Sequence, residues 1–146
     1  MIYQAPVNEL RFALQVHGRL PEVLALPSAA GLDQDTVDAV LEEAGKFAEQ
    51  ELAPTNRTGD LNGAKLVDGK VLTHPDLAQA FAAYRDAGWL GLRAPADYGG
   101  QGLPAVVAAA CEEMWCSDHL AFHLLPMHTL AALAAIRSAA RVAPQH

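Results

Sequence analysis

The segment PADYGGQGLP, Pro95 to Pro104, holds three glycines within four positions, and its second half with Ala105 fits the loose dinucleotide pattern G-x-G-x-x-G/A. A glycine loop that cradles a phosphate needs a strand before it and a helix after it, so that backbone N–H groups converge on the anion. Only the helix, opened by Pro104, is read here; the preceding WLGLRAPADY is broken by Pro95, and no parallel-strand pattern comes after it. The segment therefore reads as a corner between helices, with glycine supplying backbone angles other residues avoid. His119 and His123 are four apart, on one helix face, the spacing that metal-ligand pairs use. Leu120 stands where an H-E-x-x-H motif would carry its base, and Asp118 is the one further ligand candidate nearby. A His pair serving packing and hydrogen bonding is the preferred reading. Glu42-Glu43 and Glu112-Glu113 are adjacent pairs that splay across a helix and cannot act together on one bond. None of Ser28, Ser117 and Ser138 sits in G-x-S-x-G, and Cys111 and Cys116 have no recognisable low-pKa setting. Trp89, Trp115, Phe122 and Met127 could line an apolar pocket, although core packing is the commoner role for such residues.

These residues must be positioned by a chain of 146 residues, enough for one domain with a packed core. Ten Lys and Arg stand against 17 Asp and Glu, a net charge of −7, with no basic cluster. Nucleic acid is not expected as a partner, since phosphate backbones are bound by clustered positive charge. Cys111 and Cys116 have neither redox nor zinc spacing and read as free thiols in a reducing cytoplasm. The start, MIYQAPVNELRF, shows no signal-peptide pattern. The most apolar run, Leu120 to Ile136, is interrupted by His123, Pro126 and His128, so no membrane partner is expected.

Residues 1–32 read as an extension in which Pro6 opens a short helix through NELRFALQVH, and residues 33–146 as the main helical domain. Val37, Val40, Leu41, Ala44, Phe47, Ala48 and Leu52 recur at three- and four-residue steps, predicting a helix capped by Asp33 or Asp35 and stopped by Pro54. Asp68-Gly69 between two short apolar runs predicts a two-residue hairpin. A helix begins at Pro75, with Leu77, Phe81 and Tyr84 inward and Gly88 at its end. Another opens at Pro104 and buries Val107, Cys111 and Met114 or Trp115; Ser117 or Asp118 ends it and caps the next. That last helix, from about His119, is apolar nearly all round, which predicts a place inside the bundle with a kink at Pro126. The expected fold class is all-α, an up-and-down helical bundle with one short β-hairpin.

Taken together and in order, VLEEAGKFAEQELAPTNRTGD, LVDGKVLTHPDL, AGWLGLRAPADYGGQGLP and EEMWCSDHLAF resemble the N-terminal helical domain of the acyl-CoA dehydrogenase family. The branch that looks most similar contains 3-methylmercaptopropionyl-CoA dehydrogenases, where an opening like YQAPVNELRF is common. The resemblance runs from about Met1 to Thr129. It implies that Tyr98-Gly99-Gly100-Gln101-Gly102 is a helix corner and not the flavin site. For a complete enzyme it implies oxidation of an acyl-CoA thioester to the trans-2-enoyl-CoA by FAD and a glutamate base, with electrons passing to an electron-transferring flavoprotein.

In such an enzyme FAD lies between a middle β-domain and a C-terminal helical domain, and neither is read in this sequence. The chain is thus expected to be a catalytically incomplete, truncated form that does not hold FAD by itself. The resemblance carries one wall of the acyl-chain cavity to Phe122, Leu125 and Pro126, with His119 or Leu124 as neighbours. Asp118-His119-Leu120 stands where Ala-Asn-Met-like residues are usual, and Met127-His128 replaces a small Gly-Leu type pair. Both departures bear on pocket shape and hence on substrate length. Past Thr129 the character of the sequence changes. An apolar face left for the missing domains implies a homo-oligomer. A free-standing acyl-CoA-binding module, or a protein-interaction module without catalysis, is the alternative.

Overall fold

The computed structural model describes residues 3–142; the first two residues and the last four of the expected 33–146 domain lie outside it. Seven α-helices and one hairpin succeed one another in chain order among the described residues. Helix α1 (Val7–Val16) begins after Pro6, and α2 (Leu20–Leu24) comes next. Helix α3 (Gln34–Phe47) starts at Asp33, whose carboxylate accepts the backbone N–H of Thr36 at 2.8 Å and its hydroxyl at 2.6 Å. Such a cap satisfies an N–H that has no partner within the helix.

Pro54 does not end this helix. The chain widens into a π turn, Ala48–Leu52, and continues as α4 (Ala53–Asn62), with the N–H of Ala53 donating to the carbonyl of Ala48. The wider turn places Pro54 in the first turn of α4, where its missing N–H costs least. The hairpin pairs β1 (Lys65–Val67) with β2 (Lys70–Leu72) in antiparallel register, Leu66 opposite Val71. Asp68 and Gly69 both take positive φ, 50° and 76°, as a two-residue turn matching strand twist requires. Both strands are exposed on every residue.

Helix α5 (Pro75–Asp86) leads to Gly88 in the left-handed region and a short turn at Trp89–Gly91. Helix α6 (Ala105–Asp118) buries Val107, Cys111 and both Met114 and Trp115. Trp115 is the hub. Its indole N–H donates across to the carbonyl of Ala44 on α3 at 3.1 Å. Its ring meets Tyr84 and Trp89 edge-on at 5.1 Å each and Phe47 at 6.3 Å, geometry that aromatic quadrupoles favour. Residues 3–32 join the same core through Leu10, Leu14 and Leu20, and Arg11 pairs with Asp38 at 2.8 Å and Glu42 at 3.3 Å.

Helix α7 (Leu120–Val142) departs from the expected interior position. Only 11% of its Leu120–Ala139 stretch is buried, and residues 131–139 are all exposed. Phe122 and Pro126, four apart, form the stripe that packs inward, while no described element covers the other side. The helix runs through Pro126 as one element. By length and composition Leu120–Ala139 suffices to cross a membrane, contrary to the sequence expectation. Its first turns are tied to the core through Phe122 and Pro126. The fold is all-α with one hairpin, as the periodicity predicts.

Trp115→Phe keeps a ring in the cluster but removes the donor to Ala44 and part of the packing. It should cost about 1–3 kcal/mol in urea unfolding, whereas a loss under about 0.5 kcal/mol would show that the indole bond is not holding α3 to α6.

Candidate functional site

The glycine corner is built from its own hydrogen bonds. The N–H groups of Gly100, Gln101, Gly102 and Leu103 donate to the carbonyls of Pro95, Gly91, Ala94 and Leu92 at 2.8–3.0 Å. These are the donors a phosphate would need, and all are spent. Gly100 is required by proximity: a Cβ there would stand 2.1 Å from the carbonyl oxygen of Ala94. The corner therefore holds the α5–α6 connection and cradles no anion.

Near it lies an open depression of about 390 Å³, lined by Thr36, Ala39, Val40 and Glu43 of α3, by Ala87 and Trp89, and by Gln101. Sequence reasoning misses this hollow because its walls come from three distant segments, none with a chemical motif. Glu43 on its rim is paired with Lys46 at 2.6 Å.

The second candidate region is the elbow where α6 meets α7. His119 takes non-helical angles, φ −142° and ψ 77°, and separates the two helices. It, rather than Ser117 or Asp118, caps α7: its Nδ1 accepts the N–H of Phe122 at 3.3 Å, and its carbonyl accepts the N–H of His123 at 3.1 Å. Ser117 is turned instead toward the Tyr3 hydroxyl, 2.9 Å away. Across the elbow, α4 contributes Asn56, whose amide donates to the backbone carbonyl of Asp118, and Gly59, which faces His119 Nε2.

Asp118 and His119 are buried, 7% and 2% exposed, and Asp118 Oδ2, His119 Nε2 and His123 Nδ1 have no hydrogen-bond partner. Burial pushes the Asp118 carboxyl up to about 6 and the His119 imidazole below its ordinary value. Among the described residues no group of three His, Cys, Asp or Glu side chains could hold a metal ion, so the His119–His123 spacing makes no metal centre with Asp118. Burial likewise raises the Cys111 thiol to about 12, which leaves it unreactive.

The residues carried to the acyl wall are divided by helix geometry. Phe122 and Pro126 face inward, Phe122 lying edge-on to Tyr84 at 5.5 Å, and His119 lies beneath them. Leu125 is 47% exposed and Leu124 44%, on the outer side of α7. Trp89 and Trp115 belong to the core, and Met127 is exposed apart from them.

Comparison with known proteins adds two findings. The family model described as "Acyl-CoA dehydrogenase, N-terminal domain" matches residues 34–142. The chain is also 38% identical over 136 residues to a 3-methylmercaptopropionyl-CoA dehydrogenase of Ruegeria pomeroyi (strain ATCC 700808 / DSM 15171 / DSS-3). That similarity covers 93% of this chain and 23% of the relative, so the chain spans about a quarter of the relative's length.

Two substitutions test the elbow and the corner. Because the folded Asp118 binds its proton more tightly than the unfolded chain does, ionisation costs stability above about pH 6, and the cost fades as pH falls toward 4. At about 1.4 kcal/mol for each tenfold gain in proton affinity, Asp118→Asn should stabilise the fold by about 1–3 kcal/mol at pH 8 and flatten this part of the pH–stability curve. An unchanged or lower stability would refute the assignment. Gly100→Ala must displace Ala94 and should cost about 1–3 kcal/mol, read by thermal unfolding.

Proposed function

Because the chain belongs to the acyl-CoA dehydrogenase family through its N-terminal domain, we propose that it is the helical N-terminal part of an oxidoreductase acting on acyl-CoA thioesters. The observation that carries this reading is the apolar surface that α7 leaves uncovered, opposite the core at Leu120, Leu124 and Met127 and, beyond the core, along the continuation of its inner stripe at Leu133 and Ile136. Leu120, Leu124, Leu125, Met127, Leu133 and Ile136 are exposed on Leu120–Ala139, a stretch whose one Lys, Arg, Asp or Glu is Arg137. Exposed apolar surface on this scale marks a contact site. The remainder of the enzyme, and a further copy in a homo-oligomer, are the partners we propose for it.

FAD is the oxidant we propose for the complete enzyme, with the trans-2-enoyl-CoA as product and an electron-transferring flavoprotein as acceptor. The glycine corner does not fit the flavin's phosphates, since its N–H groups are already bonded to backbone carbonyls. On this reading the flavin and the catalytic base are supplied by the remainder of the enzyme. The contribution of this chain is apolar contact: Leu125 faces the acyl chain, while Phe122 and Pro126 hold α7 on the core behind it. Each acyl methylene so covered is worth about 0.8 kcal/mol. The relative's name makes a short thioether-bearing acyl group the first substrate to try. Free Cys111 and Cys116 support a reducing, cytoplasmic setting.

The test is a chimera in which residues 1–142 replace the matching region of the Ruegeria pomeroyi dehydrogenase. It should bind FAD, and an acyl-CoA should reduce that flavin. Leu125→Trp in the chimera should raise KM for long acyl chains by about tenfold or more relative to short ones. A chimera that binds FAD yet is not reduced by any acyl-CoA sinks the functional reading. Equal KM changes for all chain lengths would remove Leu125 from the wall.

A further inference from the structure

Among the described residues two histidines cap helices through Nδ1, and one of them has a carboxylate within 4 Å of that nitrogen. His74 precedes α5, and its Nδ1 accepts the N–H of Asp76 at 3.3 Å. The Asp76 carboxylate stands 3.4 Å from the same nitrogen. His119 caps α7 in the same way through Phe122, with no carboxylate within 4 Å of its ring nitrogens among the described residues. An Nδ1 that accepts a hydrogen bond carries no proton, so the neutral ring has its N–H at Nε2. That N–H is buried opposite Gly59, without an acceptor.

We propose that His119 is a pH-sensitive cap for α7: the neutral ring holds the Phe122 amide, and protonation, by placing a second N–H against that amide, releases the first turn. Burial disfavours the charged ring, so the capping form dominates in the folded chain near neutral pH and its stabilising contribution is lost as pH falls below the imidazole's ordinary range. The surroundings supply no compensation. From α4 the ring faces Gly59, with Asn56 on the neighbouring carbonyl and Arg57 and Asp60 on that helix's exposed side. From α6 it adjoins Asp118, whose carboxylate bonds neither His119 nor His123, and from α7 it meets Phe122, with His123 one turn further on. Asp118 itself gains a proton as pH falls, an opposing effect that a substitution can remove.

Uncapping would loosen the turn that carries Phe122 and precedes Leu125. Its effect on acyl binding rests on the function proposed above, but the cap itself does not. The direct reporter is the Phe122 amide, whose protection from hydrogen exchange is measured by NMR on the full chain at pH 7.5 and 4.5. Loss of a cap should lower that protection about fivefold at the acid pH. His119→Asn, which caps without titrating, should show no fall, and His119→Ala should be low at both pH values. Asp118→Asn should fall as the wild type does. Constant protection in the wild type, the same fall in His119→Asn, or no fall in Asp118→Asn would each overturn the proposal, the last by making Asp118 the sensor. These outcomes are independent of whether any acyl-CoA binds.

Discussion

The hydrogen bond from the Trp115 indole to the Ala44 carbonyl joins residues 71 apart in sequence and fixes how α6 crosses α3. The Ala44 oxygen also accepts the N–H of Ala48, so both of its lone pairs are used. With α3 and α6 locked, Phe47, Tyr84 and Trp89 have one arrangement in which their rings meet the indole edge-on. Tyr84 then presents its ring to Phe122 and so sets where α7 leaves the core. The directional bond supplies specificity, while the aromatic burial around it supplies most of the stabilisation.

Immediately C-terminal to Trp115, packing and solvation conflict. The chain needs Phe122 and Pro126 inside, and the helix bearing them must begin close to the core. That forces Asp118 and His119 into the interior, each with a polar atom unsatisfied. Such groups cost free energy wherever water cannot reach them. Here they sit at the start of the helix proposed to lie nearest the substrate, the kind of place where buried titratable groups bear on function.

Local chemistry makes much of this architecture legible. The Asp33 cap, the Asp68-Gly69 hairpin and the helix starts at Pro75 and Pro104 each come from one or two residues whose backbone preference is strong. The dinucleotide pattern at Gly100 is legible as a corner because its flanks lack a strand. Pro54 is misleading because a proline stops a helix only when the preceding turn keeps α geometry; one extra residue in that turn accommodates it. The α7 pattern is misleading because hydrophobicity around a helix shows that it avoids water, not what it packs against.

The sequence by itself determined that α1, α3, α5, α6 and α7 (though not α2 or α4) are helical, where the hairpin turns, and, through the order of several weak motifs, the family. Those properties depend on residues close together along the chain, where spacing fixes geometry. Tertiary structure alone decided that Leu125 faces outward while Phe122 and Pro126 face the core, that His119 rather than Ser117 caps α7, and that a hollow opens between α3 and the glycine corner. Each depends on which surface of one element meets another across long stretches of chain, and that choice is made by the whole core packing at once.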